Sequence, residues 1–274
     1  DENCLIREAA FVEQSRIGEI EEILINAFPA LEREIYDGWI LNFSGGYTYR
    51  ANCMNPFYYS SYDLKEKIIY CENQYRELLL PAIYKMTSAV PKALDELLEA
   101  KGYEIVKYVD VLYRSLEDWK PLKTEWPDNE YEMITMSQMD DEWLEGVNYL
   151  IGIPYPSMEK IQKKIFQRIC LPMVCVKICH HGKVIGTGLG VLERHYIGLY
   201  AIHVHPDYRR RGLALKICGQ IISKGKKMGA VHAHLQVRQG NTGAFLMYER
   251  LGLRKIYTQW FRMKSWPESK KIFD

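Results

Sequence analysis

No stretch of the sequence carries about 20 consecutive apolar residues, the length a bilayer-spanning helix requires, so no membrane partner is expected. Net charge is lacking as well: 36 Lys and Arg stand against 35 Asp and Glu, a formal +1. That balance gives no global electrostatic reason to expect nucleic acid, and any cationic site must be local. Cysteine is sparse, 7 in 274 residues and odd in number, which fits reduced thiols rather than a secreted disulfide framework. The start, Asp1-Glu-Asn-Cys-Leu5, has no basic region of the kind that opens a secretion signal, and a cytoplasmic protein is expected. With 47% hydrophobic residues the chain can bury one large core or two medium ones.

Good metal-ligand spacing is also wanting. Cys170, Cys175, Cys179, His180 and His181 cluster in the sequence, but Met173-Val-Cys-Val-Lys-Ile-Cys179 alternates like a strand. Cys175 and Cys179 then lie on one face, too far apart to share an ion easily, and no metal is expected. Gly45-Gly46-Tyr47-Thr-Tyr-Arg50 is glycine-rich but has no lysine, and it reads as a turn rather than a phosphate loop. Lys224-Gly-Lys-Lys227 reads as the solvated end of a helix.

What the chain does contain is Tyr200-Ala-Ile-His-Val-His-Pro-Asp-Tyr-Arg-Arg-Arg-Gly-Leu-Ala214, a short strand and a proline turn opening onto the helical run from Leu215 to Ile222. A strand that stops, turns and starts a helix leaves the first helical N–H groups aimed at whatever sits in the turn. Arg209, Arg210 and Arg211 add forked cationic donors suited to phosphate, and Gly212 permits close approach to the backbone. The stretch reads as a pyrophosphate site.

Apolar spacing organises the remainder. Ile17, Ile20, Ile23, Leu24 and Ala27 predict a helix that ends before Pro29. Residues 38–44 and 47–54, separated by Gly45-Gly46, predict a β-hairpin. Asp63 caps a predicted helix through Leu64, Ile68, Ile69, Tyr75 and Leu78, 80–86 reads as a strand, 91–100 as a helix stopped by Gly102, and 103–113 as extended chain. Residues 118–130 hold prolines, tryptophans and charges without period and read as a linker. Helices over 139–150 and 157–169 precede an antiparallel meander of 172–179, 184–192 and 196–204. The arginine turn and its helix follow, then strand 229–237, helix 241–250 and strand 254–264. Laid over each other without gaps, Pro56 falls on Pro206, Ala51 on Ala201 and Gly102 on Gly252, and the order of elements repeats. Opposite Arg209-Arg-Arg-Gly212 stands Tyr59-Ser-Ser-Tyr62, so the first half keeps the architecture without the cradle.

Arg209, Gly212 and Ala214 resemble the signature loop of the GCN5-related N-acetyltransferases, and Asn241-Thr-Gly-Ala-Phe-Leu-Met-Tyr-Glu-Arg-Leu-Gly-Leu253 resembles that family's second signature. The close likeness covers 178–264. It implies an α/β fold of two similar halves, each a mixed, mostly antiparallel central sheet flanked by helices: a degenerate half at 1–117, the linker at 118–130 and a cofactor-binding half at 131–274. It implies acetyl-CoA as co-substrate, bound by Ile202, His203 and Val204 on the strand, by Arg209, Arg210, Arg211, Gly212, Leu213 and Ala214 in the loop, and by Asn241, Ala244 and Tyr248 across the cofactor. The acceptor is then a small-molecule or peptide primary amine, attacked directly in a ternary complex by a monomer or weak homodimer. Transfer of another acyl group, or a non-catalytic CoA-binding or interaction module, are the alternatives.

The chemistry needs a neutral amine, an oxyanion donor and a proton for the leaving thiolate. The resemblance sets Tyr248 at the sulfur as the acid, against a reading as a core-facing aromatic of an amphipathic helix. For the base, alternation puts Gly198, Tyr200, Ile202 and Val204 on one strand face, without an acid or histidine, and His203 on the other. Glu193 is the nearest acid and the nominated catalytic partner, with His195, water or a group from the first half as alternatives.

Overall fold

Cap residues and glycine turns divide the chain into seven helices and eleven strands among the residues described by the computed structural model, which are 2–121, 123 and 130–274, with side chains from 14 onward. Two compact units result: Asp1–Val109 with Lys160–Ile169 and Tyr257–Asp274, and Asp110–Glu159 with Cys170–Ile256. The linker expected at 118–130 falls largely outside the described residues.

The first unit contains α1 (Glu2–Ala27), β1 (Glu32–Tyr36), β2 (Trp39–Phe43), β3 (Met54–Asn55), α2 (Leu64–Glu77), β4 (Ala82–Met86) and α3 (Lys92–Ala100). A further strand, β5 (Glu104–Ser115), gives residues to each unit. The hairpin expected across Gly45-Gly46 is replaced by one between β1 and β2, whose turn is Asp37-Gly38 with φ of 43° and 81°. Five residues of mostly charged sequence, Glu32 to Tyr36, gave β1 no apolar signal. Of the expected second arm, 47–54, only Met54 is in register with β2, joined by Asn55 just beyond it. Buried Asn52 holds the intervening residues as a loop: its Oδ1 accepts from the N–H of Ser44 (2.8 Å) and Gly46 (3.0 Å), and its Nδ2 donates to the carbonyls of Tyr47 and Thr48. Beyond it β3 runs parallel to β4.

In the second unit β6 (Tyr131–Met136) precedes α4 (Asp141–Ile151) and α5 (Pro156–Gln167), the latter ending in the first unit. Then come β7 (Met173–His180), β8 (Lys183–Glu193), β9 (Tyr196–Val204), a 3-10 turn (Pro206–Tyr208), α6 (Leu213–Lys227), β10 (His232–Arg238) and α7 (Thr242–Arg250). The last strand, β11 (Arg254–Lys264), closes antiparallel on β4 from Trp260 onward. β6 through β9 form an antiparallel meander, and β9 pairs in parallel with β10. β6 was not expected from the sequence. In the gapless overlay α2 matches α6, β4 matches β10, α3 matches α7 and β5 matches β11, and the parallel pair of β3 and β4 corresponds to that of β9 and β10. The fold is α/β, two halves with mixed, mostly antiparallel sheets flanked by helices.

α6 lies on the sheet where three glycines of β8 remove the side chains in its way. A Cβ at Gly186, Gly188 or Gly190 would come within 3.1, 2.3 or 2.5 Å of Ile217 or Ile221. That close approach sets the depth of the helix and so the position of its N-terminus. Asp140 caps α4 by accepting from the N–H of Trp143 (2.7 Å), and α4 covers the sheet's other face, where Lys177 Nζ donates to Asp140 (2.7 Å) and Glu142.

Gly188→Ala should lower the unfolding free energy by about 1–3 kcal/mol through overpacking against Ile217. Gly219→Ala, at a position of the same helix with open space around it, should be neutral or gain up to about 1 kcal/mol. Urea denaturation of the two variants side by side checks the pair.

Candidate active site

β9 carries one residue more than its partner can oppose. Tyr200 sits across from Leu189 and His203 across from Thr187, and Ala201 takes the inserted position with φ of 50°. The Thr187 hydroxyl donates to the Ala201 carbonyl (3.2 Å) and steadies the bulge. The alternation expected for this strand therefore fails: His203 shares a face with Gly198 and Tyr200, while Ile202 and Val204 pack against the core under α6. Pairing with β10 runs from Tyr196 opposite His232 to Leu199 opposite Leu235 and goes no further within the described residues. Past that point the backbone of β9 turns one row of peptide groups into the gap between the strands.

The loop after β9 is braced from within. His205 Nδ1 accepts from the Asp207 N–H (3.3 Å), and Arg209 Nε donates to the Val204 carbonyl (3.1 Å). The Arg211 guanidinium donates to the Tyr131 hydroxyl (2.9 Å) and the Asp207 carbonyl (3.1 Å). Arg210 and Gly212 are left-handed, with φ of 62° and 77°. A Cβ at Gly212 would meet open space, so this position requires glycine for its φ. The first bond within α6 runs from Lys216 N–H to the Gly212 carbonyl, leaving the N–H groups of Leu213, Ala214 and Leu215 without an acceptor inside the helix. Those donors and the positive end of the helix dipole form the seat for an anion.

The second signature is spread along α7. Asn241 Oδ1 accepts from the Ala244 N–H (3.3 Å) and caps the helix, with Ala244 half-buried one turn on. Tyr248 is 8% exposed and belongs to the same core cluster as Leu213, Leu215 and Cys218. Burial first, and then Cys218, raise its phenol above the ordinary range. Glu193 is not brought to this group. It ends β8 opposite Tyr196, with Arg194 Nε at 3.5 Å, and β9 separates that end from the arginine loop by roughly 26 Å at a strand's rise per residue. Nearness in sequence to β9 thus puts Glu193 beside the first residue of that strand, and the arginine loop follows its last. His195 shares that location, with Nδ1 at 3.3 Å from the Gly229 carbonyl.

One histidine that the sequence reading passed over lies on the neighbouring strand. His234 of β10 pairs with Gly198, is 0% exposed and has Tyr196 and Tyr200 rings at 5.9 and 6.3 Å. Neither ring nitrogen has a hydrogen-bond partner among the described residues, and burial pushes the imidazole down to about 4. The available signal was its own alternation, His232 and His234 on one face of strand 229–237, but only strand pairing places that face beside Gly198. For a metal, the described residues offer Glu130, His180 and His181, with ligand atoms within 4.8 Å of one another; Cys175 and Cys179 are buried, and burial raises their thiols.

In the first unit the corresponding turn is occupied by the protein itself. The Asp37 carboxylate accepts from the N–H groups of Ser61 (2.9 Å) and Tyr62 (2.8 Å) and from the hydroxyls of Ser60 and Ser61. Fully buried Lys67 lies 3.1 Å from it and also donates to the Asp37 carbonyl (2.6 Å). The Tyr62 N–H is the largest of the contacts that hold this carboxyl well below the usual range. These two N–H groups fall on Arg211 and Gly212 in the overlay, and the start of α2 is capped separately by Asp63, whose Oδ1 accepts from the N–H groups of Lys65 (2.9 Å) and Glu66 (3.3 Å).

Residues 14–261 match the family described as "Probable histone acetyltransferase Rv0428c C-terminal". The uncharacterized N-acetyltransferase YobR of Bacillus subtilis (strain 168) is 26% identical over 251 residues, covering 90% of this chain and 98% of its own. GCN5-related N-acetyltransferases of Kribbella flavida and Sphaerobacter thermophilus share the fold with TM-scores of 0.64 and 0.65 at 16% and 18% identity. Those matches cover 91% and 92% of this chain and 94% and 86% of theirs. A tandem GNAT protein from the clavulanic acid biosynthesis pathway has a TM-score of 0.59 at 12% identity, over 72% of this chain and 69% of that one.

His234 gives this unit a specific sensitivity to acid. Its folded value near 4 lies below the unfolded value near 6.5, so the unfolded chain binds more protons between the two and stability falls as pH drops through that window. The loss from pH 7.5 to 4.5 should be roughly 2–3 kcal/mol smaller in His234→Gln than in wild type, read from urea midpoints at the two pH values.

Proposed function

The chain belongs to the Rv0428c C-terminal acetyltransferase family, within the GCN5-related N-acetyltransferases, and on that premise we propose that it moves an acetyl group from acetyl-CoA to a primary amine by direct attack in a ternary complex. The observation that carries the reading is the anion seat at the N-terminus of α6, placed where β9 parts from β10. Its chemistry fits a pyrophosphate: backbone donors converge with exposed Arg210 beside them, and among the described residues no hydrogen bond fills the seat with a carboxylate as Asp63 does at the start of α2. Arg210, Arg211, Gly212, Leu213 and Ala214 would hold the diphosphate, with Arg209 as a brace. The β9 backbone at Ile202, His203 and Val204 would hold the pantetheine arm, with Asn241 and Ala244 along its other side.

When bound, acetyl-CoA supplies an acyl group already activated as a thioester. The remaining tasks fall to the chain. A backbone N–H of β9 beyond the bulge, released from pairing with β10, donates to the developing oxyanion. Tyr248 keeps its proton throughout the working pH range and hydrogen-bonds the departing sulfur. The acceptor is an amine of a small molecule or peptide, reaching the acyl group from the face of Tyr200 and His203.

Calorimetry with acetyl-CoA should give one site per chain, because Asp63 caps the start of α2 and Asp37 ties the turn before it. Gly212→Val should weaken binding roughly tenfold or more through the cost of a left-handed β-branched residue. No heat of binding at sub-millimolar concentration would sink the reading, and two sites per chain would remove the role given to Asp63 and Asp37. Tyr248→Phe should lower kcat for thiol release by roughly 10–100-fold with little change in acetyl-CoA affinity.

A further inference from the structure

We propose that Glu130, His180 and His181 form a binding site for a divalent transition-metal ion of the zinc class. The carboxylate and the two Nε2 atoms are the ligands, and the Tyr208 hydroxyl holds His180 in its ligating tautomer. The site does not depend on the acetyltransferase reading.

Strand pairing and one turn bring the three residues together. Tyr131, the first residue of β6, stands opposite His180, the last of β7, so Glu130 just before β6 meets the chain where it leaves β7. The turn between β7 and β8 is His181-Gly182, both left-handed with φ of 49° and 70°. That turn ends the alternation of the strand, and the His181 ring lies beside that of His180 with centroids 3.9 Å apart.

Three observations point to an ion rather than to an ordinary pairing of histidine with glutamate. Glu130 Oε2 is 3.4 Å from His180 Nε2 and 3.0 Å from His181 Nε2. A tetrahedral zinc with bonds of about 2.0–2.1 Å sets its ligands roughly 3.4 Å apart, close to both spacings. Secondly, His180 Nε2 is buried and makes no hydrogen bond among the described residues, although a carboxylate oxygen is that near. An ion between the two gives this nitrogen the partner that buried polar atoms require. Thirdly, the other ring nitrogen is already in use. Nδ1 lies 3.0 Å from the Tyr208 hydroxyl, and by donating to that oxygen it leaves the Nε2 lone pair for a metal.

The surroundings fix the rings and leave a way in. Tyr131 stacks on His180, with centroids 4.5 Å apart and planes 19° apart, and its hydroxyl accepts from Arg211. His181 and Glu130 are exposed, so an ion enters from solvent and keeps a fourth position open to it. Two imidazoles and one carboxylate suit zinc and its late first-row neighbours better than magnesium or calcium, which take oxygen ligands. Cys175 and Cys179, whose spacing gave no reason to expect a metal, take no part. The third ligand is Glu130, from a distant part of the chain, which only the pairing of β6 with β7 brings to the histidines.

The test is calorimetry with zinc chloride on the full chain, free of any histidine tag and of chelator. Wild type should bind one zinc ion per chain with micromolar affinity, and magnesium chloride should give no heat at the same concentrations. His181→Ala and Glu130→Gln, both at exposed positions, should each weaken zinc binding roughly tenfold or more. Tyr208→Phe keeps both imidazoles and should weaken it by about tenfold. Ring-nitrogen spectra of 15N-labelled histidine locate the ion: of the 7 histidines, His180 and His181 should show Nε2 shifts on adding zinc. The absence of micromolar zinc binding in wild type overturns the site, as does magnesium binding of equal strength. So does an unchanged affinity in His181→Ala or Glu130→Gln, or a set of shifts that leaves out His180 and His181. An unchanged affinity in Tyr208→Phe overturns the tautomer assigned to His180.

Discussion

Everything in the site depends on β9 giving up β10 after Leu199. A parallel ladder that ends inside a sheet leaves peptide groups that need partners, and such groups are costly to abandon. The bulge at Ala201 makes the break: one inserted residue bends the strand, shifts its register against β8, and carries the chain away from β10 toward the arginine loop. The same inserted residue decides which side chains face which way. Without it His203 would point under α6, and with it the histidine joins Gly198 and Tyr200 on the open face. The glycines of β8 then matter because they let α6 sink until its N-terminus sits at the end of the broken ladder.

The two units show how little separates a ligand site from a closed turn. Each has a parallel strand pair, a turn and a helix in the same order. In the second unit the turn is held open by Arg209 and Arg211, whose donors go to carbonyls and a tyrosine behind the loop. In the first, Asp37 takes backbone donors of Ser61 and Tyr62 for itself, and buried Lys67 compensates its charge. The carboxylate belongs to the β1 and β2 turn, which holds it beside these donors as an intramolecular partner. The turn of the first unit is thus closed by the protein's own side chains, Asp37 with Lys67 before the helix and Asp63 at its start.

The parts legible in the sequence were those whose signal is local. The arginine loop, α6, the Asn241 cap and α7 all write their geometry in neighbouring residues, through a left-handed glycine, a helix start and a capping side chain. The repeat was legible for the same reason, since the overlay of Pro56 on Pro206 carries α2, β4, α3 and β5 onto their counterparts. Features that depend on a distant partner were not legible. β1 is a charged edge strand defined by its pairing with β2, and Asn52 turned an expected hairpin arm into a loop by bonding backbone across it. Alternation along β9 could not report the bulge, because the inserted residue exists only relative to β8. The place of His234 was not legible either, because it is set by the parallel pairing of β10 with β9, which puts it opposite Gly198.

The difference in legibility follows from how the two sides of the site are built. The anion seat is made of peptide N–H groups, a helix dipole and one glycine conformation, none of which titrates. Such a seat needs a fixed backbone, and a fixed backbone leaves a short motif in the sequence. The opposite face is made of side chains from different strands, Tyr200 and His203 on β9 with His232 and His234 on β10, whose properties come from burial and from each other. His234 stays neutral because the sheet excludes water from it, not because of any residue beside it in the chain. The two sides are separately built: the hydrogen bonds described for the bulge and the loop come from Thr187, His205, Arg209 and Arg211, and none of them from a ring on β10.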